Sequence, residues 1–164
     1  MNFLDSAEDP KGAQRRPLYY FLLATLAVGA VASLFTTPQI PVWYAQLNRP
    51  TIAPPNWIFA PVWTTLYILM AVAAWRVWRR TGLKSPEMMV FAFQLALNFA
   101  WSLVFFGLHR IGAALIEIAL LDLAILASLI LFARRDRLAG LLFLPYLAWS
   151  LFATVLNHDF WRLN

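Results

Sequence analysis

The chain has 164 residues, of which 62% are hydrophobic and only 13% charged, and its mean hydropathy is +0.65. Water-soluble domains run roughly 45–50% apolar and about 25% charged, so a domain of this length cannot hide the excess from water and must face lipid. The absence of cysteine excludes disulfides, thiolate metal ligands and cysteine nucleophiles, and the net charge of +5 takes its meaning from where the basic residues fall.

Uncharged runs extend from Pro17 to Asn48, Pro50 to Trp75, Met88 to Leu108 and Leu138 to His158. A helix needs about 20 apolar residues to cross a hydrocarbon core of roughly 30 Å. Spans are therefore expected near 17–36, 58–79, 88–108, 112–133 and 139–157. The predicted fold is all-α, an integral membrane bundle of five transmembrane helices over residues 17–164, after a polar N-terminal tail at 1–16. The fourth span carries Glu117 and Asp122, but Arg110 and Arg134/Arg135 bound it at spanning length. The first connection holds Pro38, Pro41, Pro50, Pro54 and Pro55. These remove backbone donors and favour turned or extended backbone, so residues 37–57 are expected to form an ordered, mostly irregular cap. The remaining connections are tight, which makes sequential helices antiparallel neighbours.

Lys11, Arg15, Arg16, Arg76, Arg79, Arg80, Lys84, Arg134, Arg135 and Arg137 fall at one side of the membrane, and only Arg49, Arg110 and Arg162 at the other. Ten against three predicts a multi-pass protein of a bacterial inner membrane with a cytoplasmic N-terminus and with the first loop and C-terminus outside. No basic groove lies outside the spans, so the charge reports topology and no nucleic-acid partner is expected. Arg15-Arg16, an apolar stretch and Ala30-Val31-Ala32 before Ser33 also fit a cleavable signal peptide. The preferred alternative keeps this segment as a helix, with Gly29 and Ser33 as small packing residues.

The polar residues inside the spans narrow the function. Gln94, Asn98, Trp101 and Phe105 are spaced four, three and four, which places them on one stripe of the third helix. Ala92, Ala96, Ala100 and Leu103 lie opposite, a small-residue face suited to helix packing, including packing between subunits. Phe59, Trp63, Tyr67 and Met70 share one side of the second helix, and Trp149, Ala153 and Leu156 one side of the fifth. Aromatic walls with a few polar tips suit a flat, largely apolar ligand. A packed core, with the amides bonded to neighbouring helices, is the competing explanation.

The run Trp43-Tyr44, Leu47, Arg49-Pro50, Pro54-Pro55, Trp57, Phe59, Pro61-Val62-Trp63-Thr64, Leu66-Tyr67 resembles the signature of the TspO/MBR family, the tryptophan-rich sensory and translocator proteins. Gln94, Asn98, Trp101-Ser102, Phe105-Phe106-Gly107 and Pro145-Tyr146, Trp149, Phe152-Ala153, Leu156-Asn157 are similar to the rest of that pattern, in the same order, over roughly residues 18–164. The resemblance implies a five-helix bundle, often a homodimer, with a pocket beneath the first loop. It also implies tetrapyrrole ligands such as protoporphyrin IX or heme, with no obligatory cofactor.

By position, Tyr44 and Pro54 match the family's pocket residues of the loop, and Trp63 and Tyr67 those of the second helix. Asn98, Trp101 and Ser102 match those of the third helix, and Trp149, Ala153 and Leu156 those of the fifth. Ala92, Ala96 and Ala100 are the dimer-packing candidates. Trp43 and Trp149 match the tryptophans linked to light-dependent porphyrin breakdown in some bacterial relatives, a photoreaction that need not make the chain a turnover enzyme. Arg49 and Arg110 are candidates for contact with porphyrin propionates, with interfacial anchoring as the alternative. The expected function is therefore sensing or handling of tetrapyrroles. The alternative is a small transporter or exporter of lipophilic or sterol-like molecules, motivated by Asp122 and the polar stripe. The cholesterol consensus itself is not met, because Leu156, Phe160 and Arg162 have no tyrosine between them.

Other chemistry is sparse. His109 and His158 have no cysteine or spaced acidic partner, so no metal site is expected; both should be solvated at the interface, with heme ligation the alternative. Glu117 and Asp122 are five residues apart, about 140° around a helix, so they do not share one face as an acid/base pair. Asp122, near mid-span, must be protonated, hydrogen-bonded or in an aqueous cleft.

Overall fold

The computed structural model describes the backbone from residue 10 and the side chains from residue 17 onward. The tail at residues 1–9 and the side chains of Lys11, Arg15 and Arg16 lie outside the described residues. Within them the chain is helical and has no strand: α1 (Pro10–Thr36), α2 (Phe59–Thr81), α3 (Pro86–Ser102), α4 (Ile111–Arg135), α5 (Arg137–Leu141) and α6 (Leu144–Leu163). Five segments are long and apolar enough to cross a membrane: Pro17–Gln39, Asn56–Thr81, Pro86–Gly107, Ile111–Arg135 and Arg137–Leu163. Lipid offers the backbone no hydrogen-bond partners, which is why an apolar chain of this kind folds as helices.

The helix ends carry recognisable stop and start chemistry. Gly82, at φ 77, ends α2, and its N–H bonds the Trp78 carbonyl at 2.8 Å; left-handed backbone favours glycine there. Ser85 starts α3, its Oγ accepting from the Met88 N–H at 3.3 Å with Pro86 in the first turn. Asp136 caps α5 by accepting from the Leu138 and Ala139 N–H groups at 3.0 and 3.3 Å.

Two of the spans are not single α-helices. The fifth begins at Arg137, stops after Leu141 and restarts at Leu144, with Pro145 in the first turn of α6, where a missing N–H breaks no bond. The third gives way at Leu103 to a π-helical turn, Leu103–Gly107, marked by the Leu108 N–H bonding the Leu103 carbonyl at 2.8 Å. The wider turn buries both Phe105 and Phe106, which an α-helix would place 100° apart.

The first loop contains three short 3-10 turns, Thr37–Gln39, Tyr44–Gln46 and Asn56–Ile58. It is tied down at both sides. Asn48 and Asn164 exchange hydrogen bonds at 2.8 and 3.2 Å, and His109 bonds Gln39 at 3.0 Å while stacking on Trp43 at 4.3 Å.

Helix α1 packs along α2, and α4 lies along α3 and α6. The solid core sits toward the basic end, where Met70, Val77, Phe91, Phe132, Phe143 and Tyr146 interlock. At that end Asp136 pairs with Arg76 at 2.8 Å and Arg80 at 3.2 Å, and Glu87 pairs with Arg135 at 2.6 Å. Burial alone would push the Asp136 carboxyl up. The Ala139 N–H and the Arg76 and Arg80 guanidiniums outweigh it and hold the group below the usual carboxylate range. The opposite end has a smaller aromatic core of Tyr44, Phe105, Phe106 and Phe160, and between the two cores the packing opens.

Candidate functional site

The opening is a cavity of about 450 Å³ between α1, α2, the third span and α6, with the first loop as its roof. Helix α2 contributes Trp63 and Tyr67 one turn apart, the third span Asn98, Trp101 and Ser102, α6 Trp149, Ala153 and Leu156, and the loop Tyr44. Nine of the ten expected pocket residues thus line one space. Pro54 does not; it stays in the loop, where its carbonyl accepts from Arg49.

The walls are held by ring contacts and by a short polar chain. Trp63 lies 5.8 Å from Tyr67 and 6.1 Å, edge-on, from Tyr146; Trp149 meets Phe59 edge-on at 5.8 Å; Trp101 stacks on Phe105 at 5.1 Å. The Tyr67 hydroxyl donates to Asn98 Oδ1 at 2.6 Å, and Asn98 Nδ2 donates to the Tyr146 hydroxyl at 2.9 Å. Asn98 therefore does both things its position allowed, lining the cavity and joining α2 to α6. Trp101 donates to Asn157 Oδ1 at 3.0 Å, while Asn157 Nδ2 bonds the Ile111 carbonyl at 3.0 Å. The indole N–H of Trp149 is buried without a partner. Burial pushes the Tyr44 phenol up from its ordinary value against the pull of Arg49, so it meets the cavity as a neutral hydroxyl.

Other candidates fall outside the lining. Arg49 is turned into the loop, with Pro54 O and Asn56 Oδ1 as acceptors and its guanidinium 6.0 Å from the Tyr44 ring. Arg110 is exposed at the start of α4. Trp43 is separated from the space by Phe105 and Phe106, which it meets edge-on at 5.5 and 6.3 Å. Ala92 and Ala96 are exposed on α3 and Ala100 is partly so. Gln94 is fully buried below the cavity, its amide against Met70.

The wall that sequence reasoning missed is α1, where Leu26, Gly29, Ala30 and Ser33 border the space. The small size of Gly29 and Ser33 is legible in the sequence, where it points to helix packing. Phe106 and Asn157 were missed as well, the first because the π turn was not foreseen. The described lining contains no His, Cys or Met, and no group of three His, Cys, Asp or Glu able to hold a metal occurs among the described residues.

A model of the TspO/MBR family matches residues 21–162, which include every residue that lines this cavity. The chain belongs to the TspO/MBR family. Among TspO/MBR relatives it is 40% identical to the tryptophan-rich protein TspO of Archaeoglobus fulgidus over 87% of this chain and 94% of that one. It is 38% identical to protein CrtK of Rhodobacter capsulatus, over 88% and 90%, and 38% identical to the human translocator protein, over 90% of each. As a TspO/MBR protein with five membrane-capable segments, it is a multi-pass integral membrane protein.

Proposed function

We propose that this protein binds a flat, largely apolar tetrapyrrole in the cavity beneath its first loop and acts as a sensor or handler of that ligand. The observation that carries the proposal is the cavity itself, in which Trp63, Trp101 and Trp149 from three spans surround a space with few polar tips. Its volume falls within the roughly 300–1,000 Å³ of small-molecule sites. Protoporphyrin IX fits the lining better than heme. The ring can stack on indoles, whereas iron would find no imidazole, thiolate or thioether among the lining residues. Nothing in the lining calls for turnover chemistry, and a photoreaction would rest on Trp149 at the cavity wall, with Trp43 behind the two phenylalanines.

A specific feature favours movement of the ligand as a second role. Leu26, Ala30 and Ser33 of α1 and Ala60 and Thr64 of α2 border the cavity yet are exposed. The space therefore opens sideways toward lipid, a route for a lipophile to enter or leave, and relatives bear the name translocator protein. Arg76, Arg79, Arg80, Lys84, Arg134, Arg135 and Arg137 gather at one end, which supports placing that end in the cytoplasm. The exposed Ala92 and Ala96 face on α3 supports pairing of two copies.

Titration of the purified protein with protoporphyrin IX, read by tryptophan quenching, is expected to saturate. Trp63→Ala, Asn98→Ala and Trp149→Ala are each expected to weaken binding several-fold to about tenfold while the protein stays folded. Unchanged affinity in all three would remove the pocket from the proposal. Binding without flux into proteoliposomes would count against the transport role alone.

A further inference from the structure

Beside the cavity, on the α4 side, lies a group of polar atoms that ligand stacking does not use. Glu117 and Asp122 lie on α4 within the membrane span; although about 140° apart around the helix, both bury their carboxyls inside the bundle. Of their four carboxyl oxygens only Asp122 Oδ2 has a partner, Thr154 Oγ1 of α6 at 2.7 Å. Both oxygens of Glu117 and Asp122 Oδ1 are buried and unpaired.

Thr154 closes a stripe on α6 formed with Tyr146 and Ser150 at four-residue spacing. Tyr146 stands at the other end of the stripe, and the Thr154 contact with Asp122 turns that stripe toward α4. Ser150 sits between the two hydroxyls, only 1% exposed, with its Oγ also buried and unpaired. The Tyr146 hydroxyl in turn accepts from Asn98, which accepts from Tyr67 at the cavity wall.

Counting hydrogens shows what the group lacks. The Thr154 hydroxyl has one proton to give and two oxygens in range, Asp122 Oδ2 and the Ser150 carbonyl at 3.1 Å. A helical threonine commonly gives its proton to the carbonyl four residues back. The shorter contact then requires a proton on Asp122. If Thr154 donates to Asp122 instead, three carboxyl oxygens still remain buried without donors, in a low-dielectric span where two like charges repel.

We propose that Glu117, Asp122, Ser150 and Thr154 form a proton-binding site inside the membrane, with at least one proton held on the two carboxyls near neutral pH. The site is linked to the ligand cavity through Tyr146, Asn98 and Tyr67, and this link alone rests on the ligand-binding proposal above. When an anionic ligand enters, one carboxylate takes a proton from hydronium or a buffer acid in solution: the donor's bond to that proton breaks, the carboxyl O–H bond forms, and the charge neutralised at the site is balanced by the conjugate base released to solution. An anion in the cavity disfavours an ionised neighbour, so binding takes up protons and affinity rises as pH falls, by at most about tenfold per pH unit for each proton.

The titratable groups facing the site are the two acids themselves, Tyr146 on α6 and Tyr67 on α2; α3 presents the uncharged amides Gln94 and Asn98. His158, Asp159 and Arg162 lie toward one end of α6, and Asp136 with Arg76 and Arg80 at the other membrane surface.

The first test needs no ligand. Infrared spectroscopy of the full chain near pH 7 is expected to show the carbonyl stretch of a protonated carboxylic acid, reduced in Asp122→Asn or Glu117→Gln and absent in the double variant. A spectrum without such a band, or one unchanged in the double variant, overturns the site. Thr154→Val, which removes only the hydroxyl partner, is expected to shift the band and serves if an acid variant does not fold; an unshifted band in it overturns the site as well. The second test is titration calorimetry with protoporphyrin IX in buffers of different ionisation heat. Wild type is expected to take up more protons than the acid variants, a comparison in which the porphyrin's own protons cancel. Equal uptake overturns the link. Failure of wild type to bind protoporphyrin IX overturns the ligand proposal and the link, while the infrared result still decides the site.

Discussion

Gly29 shows how one missing side chain shapes the cavity wall. A Cβ at this position would run into the ring of Tyr67, the residue that lines the cavity and donates to Asn98. Alanine in a helix interior gains about 0.5–1 kcal/mol over glycine, but overpacking against a ring costs about 1–3 kcal/mol. The ring is held on its other side by Trp63, so the steric term wins. Gly29→Ala is expected to lower the melting temperature and weaken porphyrin binding together, measured by thermal unfolding in detergent and by quenching; a higher melting temperature would show that Tyr67 can yield. Trp149 makes the complementary point. Its ring borders the cavity, but its N–H is buried and unpartnered, closed off from that space, so the side chain offers the cavity a ring surface and not a donor.

Single elements meet most sharply at Asp136. Its carboxyl caps α5 and accepts from Arg76 and Arg80 of α2 at the turn that follows α4, so one side chain ties three helices at the membrane surface. Loss of the cap alone costs about 0.5–2 kcal/mol, and the partly exposed arginines add less than a fully buried pair would. Asp136→Ala is expected to destabilise the protein by about that amount.

The sign with pH follows from the direction of the shift. Because the folded carboxyl is held below its usual range, its stabilisation is present above the ordinary carboxylate value and is lost as pH falls through the lower folded one. Melting temperatures measured from about pH 6 down to about pH 3 should fall less steeply in Asp136→Asn than in wild type; identical slopes would contradict the pairing. The π turn is an element of a different kind. By widening one turn it places both Phe105 and Phe106 between Trp43 and the cavity, and so sets what the indole of Trp43 can reach.

For the whole molecule, depth in the membrane separates the packed core from the cavity. The basic end is packed solid and laced with ion pairs, while the opposite half holds the cavity under a loop pinned by Asn164 and His109. Trp57 and Trp161, 73% and 54% exposed, suit the interfacial role of indoles. They differ from Trp63, Trp101 and Trp149, which turn inward. Orientation can be read directly because the chain has no cysteine. In intact cells a membrane-impermeant maleimide is expected to label Arg110→Cys but not Lys84→Cys, which should react only once the cytoplasmic face is opened. The reverse pattern would invert the proposed topology.

The order of residues was enough to place five spans, an irregular roof and aromatic stripes on three helices. Each of these depends on local properties, namely apolar length, the 3.6-residue repeat, and prolines that withhold donors. Packing across the bundle settled the rest. It turned the small face of α1 toward the cavity, folded Arg49 back onto its own loop, put Trp43 behind two rings, and set Asp122 of α4 against Thr154 of α6. How far each helix is rotated about its axis, and how deep it sits beside its neighbours, is determined by contacts between residues far apart in the chain. A helical repeat read along one segment carries no information about that.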